Sequence, residues 1–351
     1  VAKIEPLDDS ISLDYAVFAL MSPCGQRGVN AIKKSTAQPS LSMETIRKLL
    51  IPIPPLKEQK CISLKLSEAL PLVEKYSKVQ EEQNQLNVEI QYLLKKSILQ
   101  EAIQGKLVPQ IAEEGTAQEL LEQIKTEKEK LVKDGKLKKS ALTDSVIFKG
   151  DDNKYYEQVG KSDKEITEEI AFDLPNGWSW CRLKDICSIF TGATFKKEET
   201  VTTKEGVRIL RGGNISPFEL RIKDDDIFLT KDKVKEDIIL KENDILTPAV
   251  TSLENIGKMV RVNSDMPNTT VGGFVFIIRL YLKNQWLSKY ILYLLSSPFM
   301  IDFMKSITNK SGQAFYNIGK ERLSTALLPI PSLAEQHRIV AQIEKLFEQL
   351  R

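Results

Sequence analysis

The sequence has few of the side chains that bind metals or form covalent cross-links. It contains one histidine, His337, and four cysteines in 351 residues. The cysteines, Cys24, Cys61, Cys181 and Cys187, show no CxxC spacing, which excludes an ordinary Cys/His zinc site. Scattered cysteines are typical of reducing compartments, so we expect a cytoplasmic protein that carries no metal or other cofactor.

Long hydrophobic runs are also missing. No uninterrupted apolar run reaches about 18 residues, and the N-terminal residues VAKIEPLDDS lack a charged start followed by an apolar stretch. We therefore expect neither a membrane span nor a secretion signal. Because the first residue is valine rather than methionine, we also expect the chain to be a fragment of a longer protein.

The chain has no excess charge of one sign. Lys and Arg together number 50, and Asp and Glu together number 48. A strongly basic chain would have indicated nucleic-acid binding, so any basic surface here must be local. Residues 178–318 hold 20 Lys and Arg against 16 Asp and Glu, an excess that permits phosphate contacts without requiring them.

Motifs for the enzymes that act on DNA are absent. The one double proline, in IPPL at 53–56, lacks the amide and the aromatic residue that flank it in the base-holding loop of DNA methyltransferases. The GKS tripeptide at 160–162 resembles the end of a phosphate-binding loop, but Tyr155 stands where the first glycine belongs. Acidic residues within 237–244 are typical of a surface loop. We predict that the chain has no active site.

An internal repeat gives the strongest signal. PIPPLKEQ at 52–59 returns as PIPSLAEQ at 329–336, and DYAVFALMSP at 14–23 resembles KYILYLLSSP at 289–298. Apolar residues spaced four, three and four apart follow each PIP motif, which predicts a coiled-coil-like helix. This helix-pairing seam comprises Ile62, Leu66, Ala69 and Val73 in the first copy and Ile339, Ile343, Leu346 and Leu350 in the second.

The first copy continues into a long helical pattern at 71–104. Pro71 fits the first turn of a helix or a kink, and Gly105 fits its end. At about 1.5 Å per residue, this helix would span roughly 50 Å, which is longer than a small domain needs. We interpret it as a spacer, and an ordinary bundle helix remains the alternative.

The remaining chain changes in composition near Leu174. Residues 106–173 are charged and predict a solvated connector whose lysines face water, with one amphipathic helix at 117–132. From Leu174, β-branched residues alternate with Gly, Asn and Asp, which predicts short strands and turns before helical patterns resume at 287–304. The expected fold class is α+β, with a β-rich domain and long coiled-coil-like helices in a pseudo-repeat.

These motifs together resemble the specificity subunit of type I restriction-modification enzymes. The resemblance rests on LPNGWSWCRL at 174–183, on KKSILQEAIQGKLVPQ at 95–110 and on the two PIP motifs. It implies a non-catalytic subunit in which each target-recognition domain reads half of a bipartite DNA site. It also implies that paired antiparallel helices act as a ruler and dock the methyltransferase subunits, while restriction subunits join through the complex.

The resemblance further implies a chain that is cut short at both ends. Its expected segments are the tail of a first recognition domain (1–50), a first spacer helix region (51–105), a charged connector (106–173), a complete second recognition domain (174–328) and the start of a second spacer helix (329–351).

Three polar loops of the second domain fit a reader of duplex DNA, which needs cations for phosphates and directional donors for base edges. They are 191–197, 208–214 and 310–317. The predicted DNA-binding residues are Thr194, Lys196, Lys197, Arg208, Arg211, Asn214, Lys310, Ser311, Gln313, Tyr316 and Asn317. In the second loop, paired glycines beside Arg211 and Asn214 would allow close backbone approach, and a simple glycine-rich turn is the alternative.

Two other functions remain open. A coiled-coil adaptor or scaffold with protein-binding α+β domains would explain the helices, but it gives no reason for two similar units at a fixed separation. A single-chain restriction enzyme whose catalytic half lies elsewhere would also carry such domains.

Overall fold

The structure is a computed structural model that describes residues 3–6, 8–32, 41–201, 206–311 and 315–350. The chain forms two compact units, Val1–Ile90 and Gln91–Arg351, called here the N-terminal and the C-terminal unit. Within the described ranges, every helix is too short or too polar to span a lipid bilayer.

The N-terminal unit is helical. Its elements are α1 (Leu13–Met21), α2 (Pro23–Ile32), α3 (Met43–Ile46) and the first part of α4 (Leu56–Ile103). Two buried side chains fix the start of α4. The Tyr15 hydroxyl donates to the Pro52 carbonyl at 2.7 Å. Gln59, which has no exposed surface, donates from Nε2 to the Pro54 carbonyl at 2.8 Å and accepts from the Ser12 N–H at 2.8 Å.

Helix α4 is longer than the sequence indicated. It has 48 residues, or about 70 Å, and it begins at Leu56, so Pro71 lies inside it rather than in its first turn. The predicted end at Gly105 is confirmed. Gly105 adopts a φ of +69°, and the N–H of Lys106 donates to the Glu101 carbonyl at 3.0 Å, which closes the last turn.

The C-terminal unit has further helices around one main apolar core. They are α5 (Ala117–Lys133), α6 (Leu183–Ile186), α7 (Gln285–Leu295), α8 (Pro298–Ser306), α9 (Lys320–Ser324) and α10 (Leu333–Gln349). The last turns of α4 enter this core through Leu99 and Ile103, beside Ile124 of α5 and Ile291 of α7. Helix α7 starts where the Asn284 side chain accepts from two backbone N–H groups, as an N-cap does.

Short strands make up the rest of the C-terminal unit. They are β1 (Ser145–Lys149), β2 (Tyr155–Val159), β3 (Ser162–Glu165), β4 (Ser179–Arg182), β5 (Cys187–Thr191), β6 (Thr200–Val201), β7 (Val207–Leu210), β8 (Ile215–Ser216), β9 (Glu219–Leu220), β10 (Ile227–Leu229), β11 (Ile245–Pro248), β12 (Val250–Thr251), β13 (Val260–Arg261), β14 (Thr269–Val271), β15 (Val275–Leu280), β16 (Thr308–Ser311), β17 (Phe315–Ile318) and β18 (Leu327–Ile330). The α+β fold class is therefore confirmed.

Two four-stranded sheets organise the β-rich region. One has the order β14-β7-β10-β6, in which β14 and β7 run parallel. The other has the order β13-β11-β15-β5 and is antiparallel. A second apolar cluster, which includes Ile209, Leu246, Val271 and Ile277, draws residues from both sheets. The sheet β12-β17-β16 and the strand pairs β18-β4 and β8-β9 complete the region.

The segment 106–173 differs from the solvated connector that we expected. The amphipathic helix is present as α5, but the strands β1, β2 and β3 form a sheet of their own. Lys128 was expected to face water and has no exposed surface. Its ammonium pairs with Asp144 and donates to the Asp185 carbonyl at 3.3 Å. Arg182 of β4 pairs with Glu157 of β2 at 2.7 Å, so this segment is tied to the domain core by buried charges.

The repeat is visible in the structure. The Tyr290 hydroxyl donates to the Pro329 carbonyl at 2.8 Å, and Gln336 Nε2 donates to the Pro331 carbonyl at 3.1 Å. The same pair of bonds joins Tyr15 and Gln59 to the first PIP motif.

The predicted helix-pairing seam is only partly free for a partner helix. In the second copy, Ile339 and Ile343 are fully buried in the core of the C-terminal unit, where α10 packs against α7. These two residues are therefore not a pairing surface, because they already fill the domain core. Leu346 and Leu350 remain half-buried. In the first copy, Ile62 and Leu66 are half-buried, and Ala69 and Val73 are exposed.

Candidate nucleic-acid interface

The turn between β14 and β15 connects the two four-stranded sheets. It consists of Gly272, Gly273 and Phe274, and the Val275 N–H closes it by donating to the Gly272 carbonyl at 2.9 Å. The Gly272 N–H donates to the carbonyl of Leu210 at 2.8 Å. All three predicted polar loops meet at this turn, which we call the GGF turn.

The first loop, 191–197, lies against the GGF turn through its glycine. A Cβ atom on Gly192 would stand 2.2 Å from the Val271 carbonyl oxygen, so only glycine permits this approach. The Ala193 N–H donates to that same carbonyl at 2.8 Å. Thr194 is exposed, and its hydroxyl oxygen would lie 3.0 Å from a Cβ on Gly273.

The two lysines of the first loop extend into solvent. Lys196 and Lys197 are both exposed at the start of a short 3-10 helix, which the Glu199 carboxylate holds by accepting from the Lys196 N–H at 2.7 Å. Neither lysine has a carboxylate partner within 4.0 Å among the described residues. Their ammonium groups are therefore open to an anion such as a phosphate.

In the second loop, Asn214 has a structural role, and its contact with DNA stays a prediction. It is 1% exposed. Its Oδ1 accepts from the Arg211 N–H at 2.8 Å, and its Nδ2 donates to the Asp226 carboxylate at 2.6 Å. Its polar atoms are therefore used within the loop, which leaves no free donor for a base. The alternative of a structured glycine-rich turn holds for this residue.

Arg208 also serves the loop. Its guanidinium pairs with the buried Asp226 carboxylate at 2.9 Å and lies over the Phe228 ring. Burial disfavours the ionised form of Asp226, but hydrogen bonds from the Lys223 N–H, Asn214 and Arg208 outweigh burial and lower the pKa of this carboxyl group. Arg208 is consequently held as the counter-ion of a buried carboxylate, and its role as a DNA reader stays a prediction.

Arg211 remains available to a ligand. Its side chain is 49% exposed, and its guanidinium reaches the exposed Asp225 carboxylate at 3.4 Å. A long, exposed ion pair of this kind contributes little stability and is easily exchanged for another anion or acceptor. The backbone of Arg211 is nevertheless fixed by Asn214, so the starting point of the side chain is well defined.

The third loop is the hairpin formed by β16 and β17. Its second strand pairs with β12, where Val250 faces Asn317 and Thr251 faces Tyr316. Asn317 and Lys310 are exposed, and Tyr316 is half-buried opposite Lys310.

For two predicted DNA-binding residues of this hairpin, the structure gives no side-chain position. Gln313 lies outside the residues that the structure describes, as does the side chain of Ser311.

The GGF turn brings the three loops together. Gly272 is hydrogen-bonded to Leu210, which precedes Arg211. The Ala249 N–H donates to the Phe274 carbonyl at 2.8 Å, and the Ala249 carbonyl accepts from Ile318, the neighbour of Asn317, at 2.8 Å. Backbone hydrogen bonds thereby connect the segments that carry Thr194 and Arg211 to the GGF turn and its flanking strand, and they connect the segment that carries Asn317 to the turn through Ala249.

Sequence reasoning missed one residue of the GGF turn. Phe274 is 72% exposed at the tip of the turn, and Thr194 of the first loop lies beside the preceding glycine. The sequence VGGF at 271–274, between two β-rich stretches, could have predicted this turn in the same way that the paired glycines beside Arg211 predicted another.

The remaining chemistry of the described residues is structural. They contain no group of three or more His, Cys, Asp or Glu side chains placed to hold a metal ion. His337 is stacked on Trp286, with 3.9 Å between ring centroids. Burial raises the pKa of the Cys181 and Cys187 thiols, which keeps both thiols protonated and unreactive.

The last turns of α4 lie beside the last turns of α10, and the residues after α4 lie beside the start of α10. The Lys95 ammonium is 5.7 Å from the centre of the Phe347 ring. Beyond the helix, the Trp178 indole N–H lies 3.2 Å from the Gln110 side-chain oxygen and 3.0 Å from the Glu335 carboxylate. The two segments therefore run antiparallel.

Comparisons with known proteins agree on one family. A sequence model described as "Type I restriction modification DNA specificity domain" matches residues 1–102 and 175–351. The chain is similar to the EcoAI type I restriction enzyme specificity subunit of Escherichia coli, with 31% identity over 273 residues that cover 73% of this chain and 39% of that protein. For the EcoEI specificity subunit of the same organism, the identity is 26% over 258 residues, covering 73% of this chain and 40% of that protein.

A solved structure shares the fold. It is described as the structural basis of complex assembly and conformational transition of the type I R-M system, and it matches with a TM-score of 0.55 and 18% identity over 97% of this chain and 65% of that chain. The chain spans about 40% of the length of the two curated relatives.

Proposed function

The chain belongs to the family of type I restriction-modification DNA specificity domains, and from this premise we propose that its C-terminal unit reads one half of a bipartite site in double-stranded DNA. The observation that carries the proposal is the convergence of three polar loops on the GGF turn. Loops that are held by a rigid scaffold are the usual carriers of recognition, because the scaffold fixes where each side chain begins.

The side chains at this surface have the chemistry that base edges require. Arg211 supplies a guanidinium for guanine, Asn317 supplies an amide for adenine, and Thr194 supplies a hydroxyl that suits either base. Lys196, Lys197 and Lys310 are exposed around them and fit phosphate contacts, which position the duplex without reading it. The local cations thus compensate for a chain without an overall basic charge.

We propose that the chain acts without catalysis of its own, within a complex in the cytoplasm. Methyltransferase subunits would dock on the helices, and restriction subunits would join through the complex. The exposed apolar residues of α4, among them Leu72, Val73, Tyr76 and Val79, support a helix that another chain covers. The segment limits 1–50, 51–105, 106–173, 174–328 and 329–351 remain a proposal, with 106–173 now a folded part.

The decisive experiment separates base reading from phosphate contact. Duplexes would be selected from a random library by the chain together with its methyltransferase partner, and affinities would then be measured at several salt concentrations. Arg211→Ala should relax preference at one base position and cost roughly 1 to 3 kcal/mol of binding free energy. Lys197→Ala should weaken all sequences alike and reduce the salt slope by about one. Lys161→Ala, in the turn between β2 and β3, is the matched control and should change neither. Selection of no duplex, or an unchanged preference in Arg211→Ala, would contradict this reading surface.

We further propose that α4 sets the distance between half-sites. Four residues inserted into α4 and into its paired helix would lengthen the spacer by about 6 Å, which corresponds to one or two base pairs at about 3.4 Å each. Mapping of methylated sites should show a wider gap with the same half-site sequences. An unchanged gap would exclude the ruler.

A further inference from the structure

We infer that Phe274 is a specificity-determining residue whose ring packs against the 5-methyl group of a thymine in the major groove. The inference rests on the proposed function and deepens it by naming an apolar contact at the centre of the polar loops. Phe274 stands at the tip of the GGF turn and is 72% exposed.

The position of Phe274 is fixed while its ring is free. The Ala249 N–H donates to the Phe274 carbonyl at 2.8 Å, and the turn is closed by the bond from Val275 to Gly272 at 2.9 Å. Strands β14 and β15 hold both sides of the turn, and two glycines before the phenylalanine remove side-chain bulk. A ligand can therefore approach the ring closely at little cost in ordering the backbone.

Two of the other exposed phenylalanines have aromatic neighbours, whereas Phe315 of β17, which is 55% exposed, is not among them. Phe148 is stacked on Tyr156, with 5.9 Å between ring centroids. Phe218 packs against Tyr293 at 5.4 Å and against Phe347 at 5.9 Å. Among the described residues, Phe274 has no aromatic partner of this kind, although it is more exposed than either. Within the part of the chain that the structure describes, no aromatic contact covers the Phe274 ring.

The neighbours of Phe274 select a base edge as its ligand. Arg211, Thr194 and Asn317 surround the turn, and their groups match hydrogen-bonding atoms in the major groove. A phenyl ring among them can contribute only an apolar contact. The thymine 5-methyl group is the apolar feature that a major-groove edge displays, so ring and methyl group are matched in chemistry.

The test removes one methyl group at a time. In the duplex selected by the wild-type complex, each thymine would be replaced by uracil, which lacks only the 5-methyl group. Uracil at one position should weaken wild-type binding roughly threefold to tenfold, the scale of one buried methyl group with its packing. Phe274→Ala should lose a similar factor with thymine and show no further loss with uracil, while the salt slope stays unchanged.

Two control variants test whether the uracil effect depends on the Phe274 ring. Phe148→Ala removes an exposed phenylalanine from β1 and should leave uracil sensitivity as in the wild type. Phe274→Leu keeps an apolar side chain and should retain part of the uracil effect. Because Phe274 is exposed, thermal unfolding of its variants should match that of the wild type.

Several outcomes would overturn the inference. A selected duplex in which no uracil substitution matters, or uracil sensitivity that persists in Phe274→Ala, excludes the thymine contact. Brightening of an adjacent 2-aminopurine without a uracil effect would instead reveal a wedge between base pairs. Loss of partner-protein binding by Phe274→Ala, with DNA binding intact, would assign the ring to a protein interface. If the wild-type complex selects no duplex, the proposed function itself fails, and this outcome is distinct from all the others.

Discussion

The two copies of the PIP motif share their hydrogen bonds but not their surroundings. In each copy a tyrosine hydroxyl binds the carbonyl of the first proline, and a buried glutamine binds the carbonyl of the second. In the N-terminal unit, Pro52 is exposed and Tyr15 is 7% exposed. In the C-terminal unit, Pro329 is buried and Tyr290 is 1% exposed.

This difference separates what the motif encodes from what a domain adds. The PIP motif and its upstream tyrosine form the same joint at a helix start in both units, although β18 precedes that helix in the C-terminal unit and residues 49–55 form no strand in the N-terminal unit. The apolar residues that follow the motif become core in the C-terminal unit, where α7 packs against α10. The same seam pattern thus yields a buried helix face in α10 and a largely exposed one in α4.

The largest expected contrast is between Ile339 and Ile62, which are identical residues at equivalent positions. Ile339 is fully buried, so Ile339→Ala should cost about 2 to 5 kcal/mol of unfolding free energy through lost burial and a cavity. Ile62 is half-buried, and Ile62→Ala should cost about 1 kcal/mol. Hydrogen exchange measured separately over α10 and the start of α4 would compare them. Equal losses would show that the seam is core in both units.

In the second contrast, between Gln59 and Gln336, we expect the larger loss of stability in the N-terminal unit. Gln59 makes three hydrogen bonds, with the Ser10 and Pro54 carbonyls and the Ser12 N–H. Among described atoms, Gln336 Nε2 has one partner and Gln336 Oε1 has none. Gln59→Leu should therefore cost about 2 kcal/mol and Gln336→Leu about 1 kcal/mol or less. Exchange over the first turn of each helix reports both. A larger loss for Gln336→Leu would mean that burial, rather than the number of bonds, sets the effect.

The third contrast concerns the tyrosine hydroxyls. Tyr290→Phe leaves the buried Pro329 carbonyl without its donor and should cost about 1.5 kcal/mol. Tyr15→Phe should cost about half as much, because water can reach the exposed Pro52. All three tryptophans, Trp178, Trp180 and Trp286, lie in the C-terminal unit, so urea unfolding followed by fluorescence measures the Tyr290 effect there. An effect of Tyr15→Phe as large as that of Tyr290→Phe would contradict the role of solvent.

Local sequence patterns predicted part of the fold, and the part that they did not predict depends on contacts between residues that are distant in sequence. The repeat, the long helix, its end at Gly105 and the α+β class all follow from spacing and turn residues. The segment 106–173 could not be placed in full because buried charges tie it to the core, in addition to the apolar face of α5 that holds Leu120 and Ile124. Lys128 and Arg182 are buried only because Asp144 and Glu157 reach them from other elements, and no periodicity encodes such pairs.

The candidate interface shows the same limit. Sequence composition identified the three loops, since polar residues beside glycines mark recognition loops. Sequence composition could not show that Arg211 is more available to a ligand than Arg208 and Asn214. The reason is that Asp226 accepts hydrogen bonds from the side chains of Arg208 and Asn214. Phe274 was missed because its exposure depends on a turn between two sheets, and single-residue propensities give no such information.

The smallest expected effect is the pH dependence contributed by the buried Glu335 of the second copy. Burial raises the pKa of the Glu335 carboxyl group above its ordinary value of 4.5, against the opposing hydrogen bonds from Trp178 and Gln110. The folded state then holds this proton more tightly than the unfolded state. Its stabilising contribution is complete below pH 4.5 and declines as the pH rises through the raised value. Glu335→Gln keeps an acceptor for the Trp178 indole but does not titrate. The unfolding free energy of the wild type, relative to Glu335→Gln, should therefore fall with rising pH. A difference between wild type and Glu335→Gln that is constant with pH would show that the carboxylate is solvated, and the second joint would then be as open to water as the first.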